Sequence, residues 1–271
     1  MTAVYRIMRA GLPAAALALG WLEIPCSAAA ESPVPPATEP LRLASGPSRV
    51  ALLELFTSEG CSSCPPADLW LGRLRQDAGL WRDYVPMEFH VNYWDALGWK
   101  DRFASRAFTQ RQYAHAAAWG TPSVYTPCFV RDGAEWHPDG PAPTPSADRP
   151  GVLIVTSDPS GGYAVEFTPT EGLKAGPFTA HLALMGGGWT SRVTGGENRG
   201  STLAHEFVVV ELGATPLLPD AQGRIQGGRL GQKWAVPEGA RRVALAAWVT
   251  RGNDLAPVQA AGGWLPAPGG G

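Results

Sequence analysis

The segment V-A-L-L-E-L-F at residues 50–56 narrows the folds open to this chain more than any other stretch. It is a run of strand length with one polar interruption, Glu54, and a strand so apolar has to be covered on both faces. It stops at T-S-E-G and is followed at once by C-S-S-C-P-P-A-D, residues 61–68. Pro65 and Pro66 suit the first turn of a helix, where a missing amide donor costs little. Asp68 falls in that turn and complements the helix dipole, while Leu69, Leu71 and Leu74, with Trp70, supply an apolar face. Y-V-P-M-E-F-H-V-N-Y-W-D predicts a second strand around Met87 to Val91, and residues 103–119 read as a helix. V-Y-T-P-C-F-V-R-D-G then predicts a strand entered through Pro127 and closed by the Asp132-Gly133 turn. Strand, dithiol turn, helix, strand, helix, strand is an alternating α/β order.

Cys61 and Cys64 stand two residues apart at the start of the first helix. That position sets the first sulfur over unpaired backbone N–H groups, which favour a thiolate. The second sulfur lies one turn on, placed to attack a mixed disulfide formed on the first. A static bridge would stabilise little across so short a loop, and half a zinc site would need a second close pair of ligands that the sequence lacks. No metal ligand set and no cofactor motif is assigned.

Beyond the dithiol, composition bounds the rest. With 271 residues, 45% hydrophobic and 17% charged, the chain can bury a sizeable core, and its net charge of −2 comes without a basic run that would neutralise phosphates. Nucleic acid is therefore not an expected partner. Residues 1–30 read as a signal peptide: Arg6 and Arg9 precede an apolar run, and Ala28 to Ala30 close it. The run is too short to span a bilayer, so no integral membrane span is expected after cleavage, and Cys26 is discarded with the signal. Cys61, Cys64 and Cys128 remain, an odd count that reads as a redox pattern rather than a disulfide scaffold. Residues 31–47 read as a flexible leader, 48–140 as the α/β domain, 141–150 as a Pro-rich connector and 266–271 as a disordered tail. Residues 151–265 carry short strands separated by Gly, Pro and Asp turns with no convincing helix, which predicts a separate β-rich, sandwich-like domain.

Four blocks together, E-L-F-T-S-E-G-C-S-S-C-P-P-A-D, H-V-N-Y-W-D-A-L-G-W-K-D, S-V-Y-T-P-C-F-V-R-D-G and G-E-N-R-G-S-T-L-A-H, resemble the bacterial secreted thioredoxin-like proteins grouped as domain-of-unknown-function family 1223. The resemblance covers about residues 48–265. It implies an α/β thioredoxin-like domain followed by a β-rich, sandwich-like C-terminal domain, and it implies no settled reaction. By the same likeness Thr126-Pro127 is the expected cis-proline pair facing the dithiol and presenting backbone to a substrate. Glu54 falls near the place of a buried acid that moves protons for the second cysteine. Glu59, just before Cys61, reads as a solvated turn residue. Either His90, Trp94 and Asp95 line a substrate groove, or Trp94 and Trp99 cap the core while Asp95 caps a turn; His205 and Asn198 read as structural or domain-contact residues. Cys128 departs from the family pattern, which usually has Gln there, and stands as a candidate third thiol, a metal ligand or a small buried hydrophobe.

The expected function is a periplasmic or secreted thiol–disulfide oxidoreductase. Cys61 would attack, Cys64 resolve, Glu54 move the proton, and Thr126, Pro127 and Trp94 bind substrate. Its expected partners are exported proteins or small-molecule thiols and disulfides. Two alternatives stay open: a copper carrier using Cys61, Cys64 and a third ligand such as Cys128 or a His, and a binding module whose disulfide only staples the first helix.

Overall fold

Every residue of the strand Ala51–Thr57 is buried, so both of its faces are covered. The structure is a computed structural model that describes residues 40–158, 161–173, 176–220, 224–227, 230–231, 234–235 and 237–266. In chain order its strands are β1 (Arg42–Ala44), β2 (Ala51–Thr57), β3 (Tyr84–His90), β4 (Cys128–Arg131), β5 (Ala134–Trp136), β6 (Gly151–Ser157) and β7 (Tyr163–Pro169). There follow β8 (Phe178–Gly187), β9 (Trp189–Arg192), β10 (Thr202–His205), β11 (Val208–Pro219), β12 (Ile225–Gly227), β13 (Arg242–Arg251) and β14 (Pro257–Trp264). The α-helices among the described residues are α1 (Pro65–Arg73) and α2 (Arg106–Ala118).

The first half follows the expected order. β3 runs parallel to β2, β4 antiparallel to it on the other side, and β5 returns as a hairpin on β4. The hairpin turn is Asp132-Gly133, both residues at positive φ (52° and 84°), the backbone a two-residue hairpin turn asks for.

The second half overturns the expected fold class. It is not a separate β-rich domain following an α/β thioredoxin-like one. Among the described residues twelve strands make one mixed sheet, ordered β1-β6-β7-β12-β11-β3-β2-β4-β5, with β8 joining β11 to β13 and β14 closing on β13. The seam is the edge of β3: Val208 pairs in parallel with Glu88, and the Glu88 amide donates to the Phe207 carbonyl at 2.9 Å. The physical reason is that a fully buried strand cannot leave an edge unpaired, and β11 covers that edge. Packing agrees with the pairing, since one core cluster unites Leu52, Phe56 and Met87 with Met185, Trp248 and Ala260. Separating the halves would expose such side chains at about 1.5–3 kcal/mol each.

Arg42–Ala44, expected within a flexible leader, instead pairs with β6 as β1. The expected signal segment 1–30, the leader up to residue 39 and tail residues 267–271 lie outside the described residues. No helix among the described residues is long and apolar enough to cross a membrane.

Candidate functional site

The end of β2 and the start of α1 form one corner. Cys64 is the N-cap of α1, with Pro65 and Pro66 in the first turn, and the amides of Ala67 and Asp68 donate to its carbonyl at 2.8 and 3.1 Å. Cys61 lies just ahead of it, its sulfur 3.3 Å from Ser63 Oγ and 3.7 Å from the Thr126 carbonyl oxygen. The Thr126-Pro127 peptide is cis. Trp94 Nε1 donates to Thr126 Oγ1 at 2.9 Å, so Trp94 braces the residue that faces the dithiol. Cys61, Cys64, Thr126, Pro127 and Trp94 are thus neighbours.

The two thiols are chemically unequal. A hydrogen bond from Cys64, aided by Ser63 and Thr126, brings Cys61 down to about 6. Burial, reinforced by the bond given to Cys61, pushes Cys64 far up. Cys61, Cys64 and Cys128 are free thiols in this structure rather than a disulfide. Cys61 and Cys64 are 1% and 0% exposed, whereas Ser62 and Ser63 between them are exposed.

A loop from the second half of the chain grips the dithiol turn. Asn198 Nδ2 donates to the carbonyl oxygens of Glu59 (2.9 Å) and Cys61 (2.8 Å). Ser62 donates its amide and hydroxyl to Glu197 Oε2 at 3.0 and 2.7 Å. Gly195 sits so near the Gly98 carbonyl that a Cβ there would fall 2.1 Å from its oxygen, which is why a glycine occupies this contact.

Glu54 does not join this corner. Residues three apart on a strand point to opposite faces, so Thr57 turns toward α1 while Glu54 turns toward α2. There Arg111 donates to both Glu54 oxygens at 2.5 and 2.9 Å, and His115 Nε2 lies 3.3 Å away. Burial alone would raise the carboxyl, but Arg111 and His115 outweigh it and hold Glu54 at about 2. A carboxylate so firmly ionised is no proton carrier, which corrects its expected role.

The acid at the dithiol is Asp68, read from the sequence only as a helix-dipole carboxylate. Thr57 Oγ1 donates to Asp68 Oδ1 at 2.6 Å, and the same hydroxyl hydrogen-bonds Cys64. Burial, then the nearby charge of Glu88, pushes Asp68 up to about 8. The signal was available: Asp68 follows Cys64 by four residues, one helical turn, and so shares its face.

Beneath lies a buried polar layer. Glu59, expected as a solvated turn residue, is 1% exposed, with Oε2 accepting from Trp99 Nε1 at 2.7 Å. His90 lines no groove: it is fully buried between Asp101 Oδ2 (2.6 Å) and Glu88 Oε1 (2.7 Å). His205 lies between Glu59 Oε1 (3.0 Å) and Glu88 Oε1 (3.3 Å). Asp95 caps the following loop, accepting from the Asp101 amide at 3.2 Å. Glu88, His90 and His205 bring three ligand-type atoms within 4.8 Å of one another.

Cys128 falls on the α2 side. It lies on a cavity of about 100 Å³ lined also by Gln112, Trp119 and Tyr125, and burial pushes its thiol up to about 11. The hydrogen bonds of Cys61 run to Ser63, Thr126 and Cys64, and Cys128 is not among them.

The family described as Protein of unknown function (DUF1223) matches residues 52–246. No curated protein matches the chain in sequence. Among solved structures, an X-ray structure of a protein from Agrobacterium tumefaciens is similar over 79% of this chain and 94% of its own, at 22% identity and a TM-score of 0.54. HBP35 of Porphyromonas gingivalis is similar over 82% of this chain and 76% of its own, at 14% identity and a TM-score of 0.56. At these identities the likeness speaks to fold alone, and it spans both halves of the chain.

Proposed function

We propose, from the premise that this chain belongs to the DUF1223 family, that it is an exported thiol–disulfide oxidoreductase, thioredoxin-like in its chemistry. The observation that carries the reading is the corner itself: an unequal dithiol at a helix start, facing the carbonyl of Thr126. Export rests on the signal-like pattern of residues 1–30, and the compartment that follows is the periplasm or the exterior.

In the reducing direction the Cys61 thiolate attacks one sulfur of a substrate disulfide, forms a mixed disulfide and releases the other sulfur as a thiolate. Cys64 then passes its proton to Thr57 as the Thr57 hydroxyl proton moves to Asp68. The Cys64 thiolate attacks Cys61 Sγ, the second substrate sulfur leaves, and the chain holds a Cys61–Cys64 disulfide while the substrate is a dithiol. The reverse sequence oxidises a substrate. Because Cys61 is 1% exposed, exchange begins with displacement of the exposed Ser62-Ser63 segment. Exported proteins and small thiols or disulfides are the substrate class.

Trapping tests this reading. Cys64→Ser expressed with its leader should accumulate disulfide adducts with exported proteins or small thiols on Cys61, and Cys61→Ser should accumulate none. In the unmodified chain the rate of Cys61 alkylation should be half-maximal near pH 6, falling as pH drops because the thiolate gains its proton. Removing the Cys64 donor should move that midpoint upward, toward about 8.5 for an unperturbed thiol. Absence of any Cys61-dependent adduct, with a midpoint at the unperturbed value, would sink the proposal.

A further inference from the structure

The buried layer under the dithiol turn carries more acid than its neighbours account for. Glu59, Glu88 and Asp101 are at most 2% exposed, and their ion pairs among the described residues are with His90 and His205, not with Lys or Arg. Three carboxylates face two imidazoles, and each imidazole has a carboxylate oxygen at both nitrogens. Carboxylate contact at both nitrogens asks each ring either to donate from both, as an imidazolium does, or to give one nitrogen to a metal cation and donate from the other. Glu88 Oε2 is buried with no hydrogen-bond partner among the described residues.

We infer that Glu88, His90 and His205 form a binding site for a divalent transition-metal ion of the zinc type. The donor set would be Glu88 carboxylate, His90 Nε2 and His205 Nδ1, two imidazoles and one carboxylate, a combination that zinc takes. Their geometry is close to what an ion requires. Ligand atoms about 2.0–2.1 Å from a tetrahedral ion lie about 3.3 Å from one another. Glu88 Oε1 is 3.3 Å from His205 Nδ1 and 2.7 Å from His90 Nε2, so the second pair has to open, and all three ligand atoms lie within 4.8 Å of one another.

The outer nitrogens carry the argument further. With an ion on Nε2, His90 keeps its proton on Nδ1 and donates it to Asp101; with an ion on Nδ1, His205 keeps its proton on Nε2 and faces Glu59 with it. Both rings then have a carboxylate behind the ligating nitrogen, the arrangement that fixes tautomer and ring orientation at metal sites. Asp101 is itself held by the amides of Glu59 and Phe103, each at 2.9 Å. One divalent ion stands in for two ring protons and leaves the buried charge unchanged. β3 supplies Glu88 and His90 from alternate positions, both on one face, while His205 ends β10, so the site joins the two halves of the chain.

The test is independent of the dithiol reading. Because the site is buried, the unmodified full-length chain is refolded with thiols reduced and one equivalent of Zn²⁺ present, then freed of loose metal by gel filtration. The expected result is one retained Zn²⁺ per chain, with X-ray absorption showing nitrogen and oxygen donors, two of them imidazole, and no sulfur. Asp101→Asn, which leaves all three ligands in place, should weaken Zn²⁺ binding about 10–100-fold. Retention of no zinc, or sulfur at about 2.3 Å around it, would overturn the inference. A sulfur-bound ion would place the metal at the cysteines and leave exchange chemistry to the trapping result.

Discussion

Replacing Arg111 with alanine is expected to destabilise the chain by about 3–5 kcal/mol at neutral pH, the range for removing one partner of a buried ion pair. The cost comes from the charge left behind. Glu54 sits in the middle of β2 with a side chain 1% exposed, and Arg111, 9% exposed, meets both its oxygens. The guanidinium also lies over the rings of Phe89 (5.6 Å) and Trp248 (5.2 Å), one from each half of the chain. The effect carries a pH signature. Glu54 has a folded pKa of about 2 against an ordinary value of 4.5. Its contribution is therefore present above pH 4.5 and is lost as pH falls toward 2. In Arg111→Ala the carboxyl has lost the partner that kept it ionised, so the variant should recover part of its deficit on acidification, where Glu54 takes up a proton. Urea unfolding at pH 7 and pH 5 measures this, and adding Glu54→Gln to Arg111→Ala should recover stability at pH 7. A loss below about 1 kcal/mol at pH 7 would mean that the pair behaves like a solvated surface pair.

What could be read in advance divides along a physical line. Contacts close in sequence were legible: the buried run of β2, the prolines opening α1, the Asp132-Gly133 turn and the order of the first elements all declare themselves through local patterns. The dithiol corner was legible for the same reason, since Cys61, Cys64 and α1 are contiguous. The single sheet was not. Its decisive pairing joins Glu88 to Val208, and no periodicity says which buried edge another strand will cover. The expected connector at 141–150 carries no strand, but it leads into β6 of the same sheet rather than into a separate domain.

The polar layer was hidden by a related effect. Glu88 and His90 interrupt an apolar strand at alternate positions, and Glu54 interrupts another, but a sequence records only that each needs a partner. Which partner depends on the pleat. Glu54 and Thr57 lie on opposite faces of β2, so the acid that seemed near the dithiol belongs to α2, and the one that reaches it comes from α1. Asp68 went unrecognised because an acid in a first helical turn already has a sufficient local explanation.

That reassignment carries the second large effect. Asp68→Asn should slow resolution of the Cys61 mixed disulfide about 10²–10⁴-fold, the usual worth of a positioned acid–base group. Formation of the mixed disulfide should change far less, because Cys61 draws its stabilisation first from Cys64 and then from Ser63 and Thr126. The two steps separate in rapid-mixing experiments with a chromogenic disulfide, which releases one thiolate on attack and a second on resolution. As a base Asp68 acts once deprotonated, so the unmodified chain should resolve faster with rising pH, half-maximally near pH 8, and the Asn variant should lose that titration. Loss of fold is distinguishable from loss of chemistry by sign. The folded pKa of about 8 lies above the ordinary value of 3.8, so the Asp68 contribution to stability is present below pH 3.8 and is lost as pH rises through 8. A neutral Asn should therefore hold or raise stability at pH 8 while resolution fails. Thr57→Val removes the hydroxyl between Asp68 and Cys64 and should reproduce the slow second step. Equal resolution rates in all three chains would return Asp68 to a purely structural place at the start of α1.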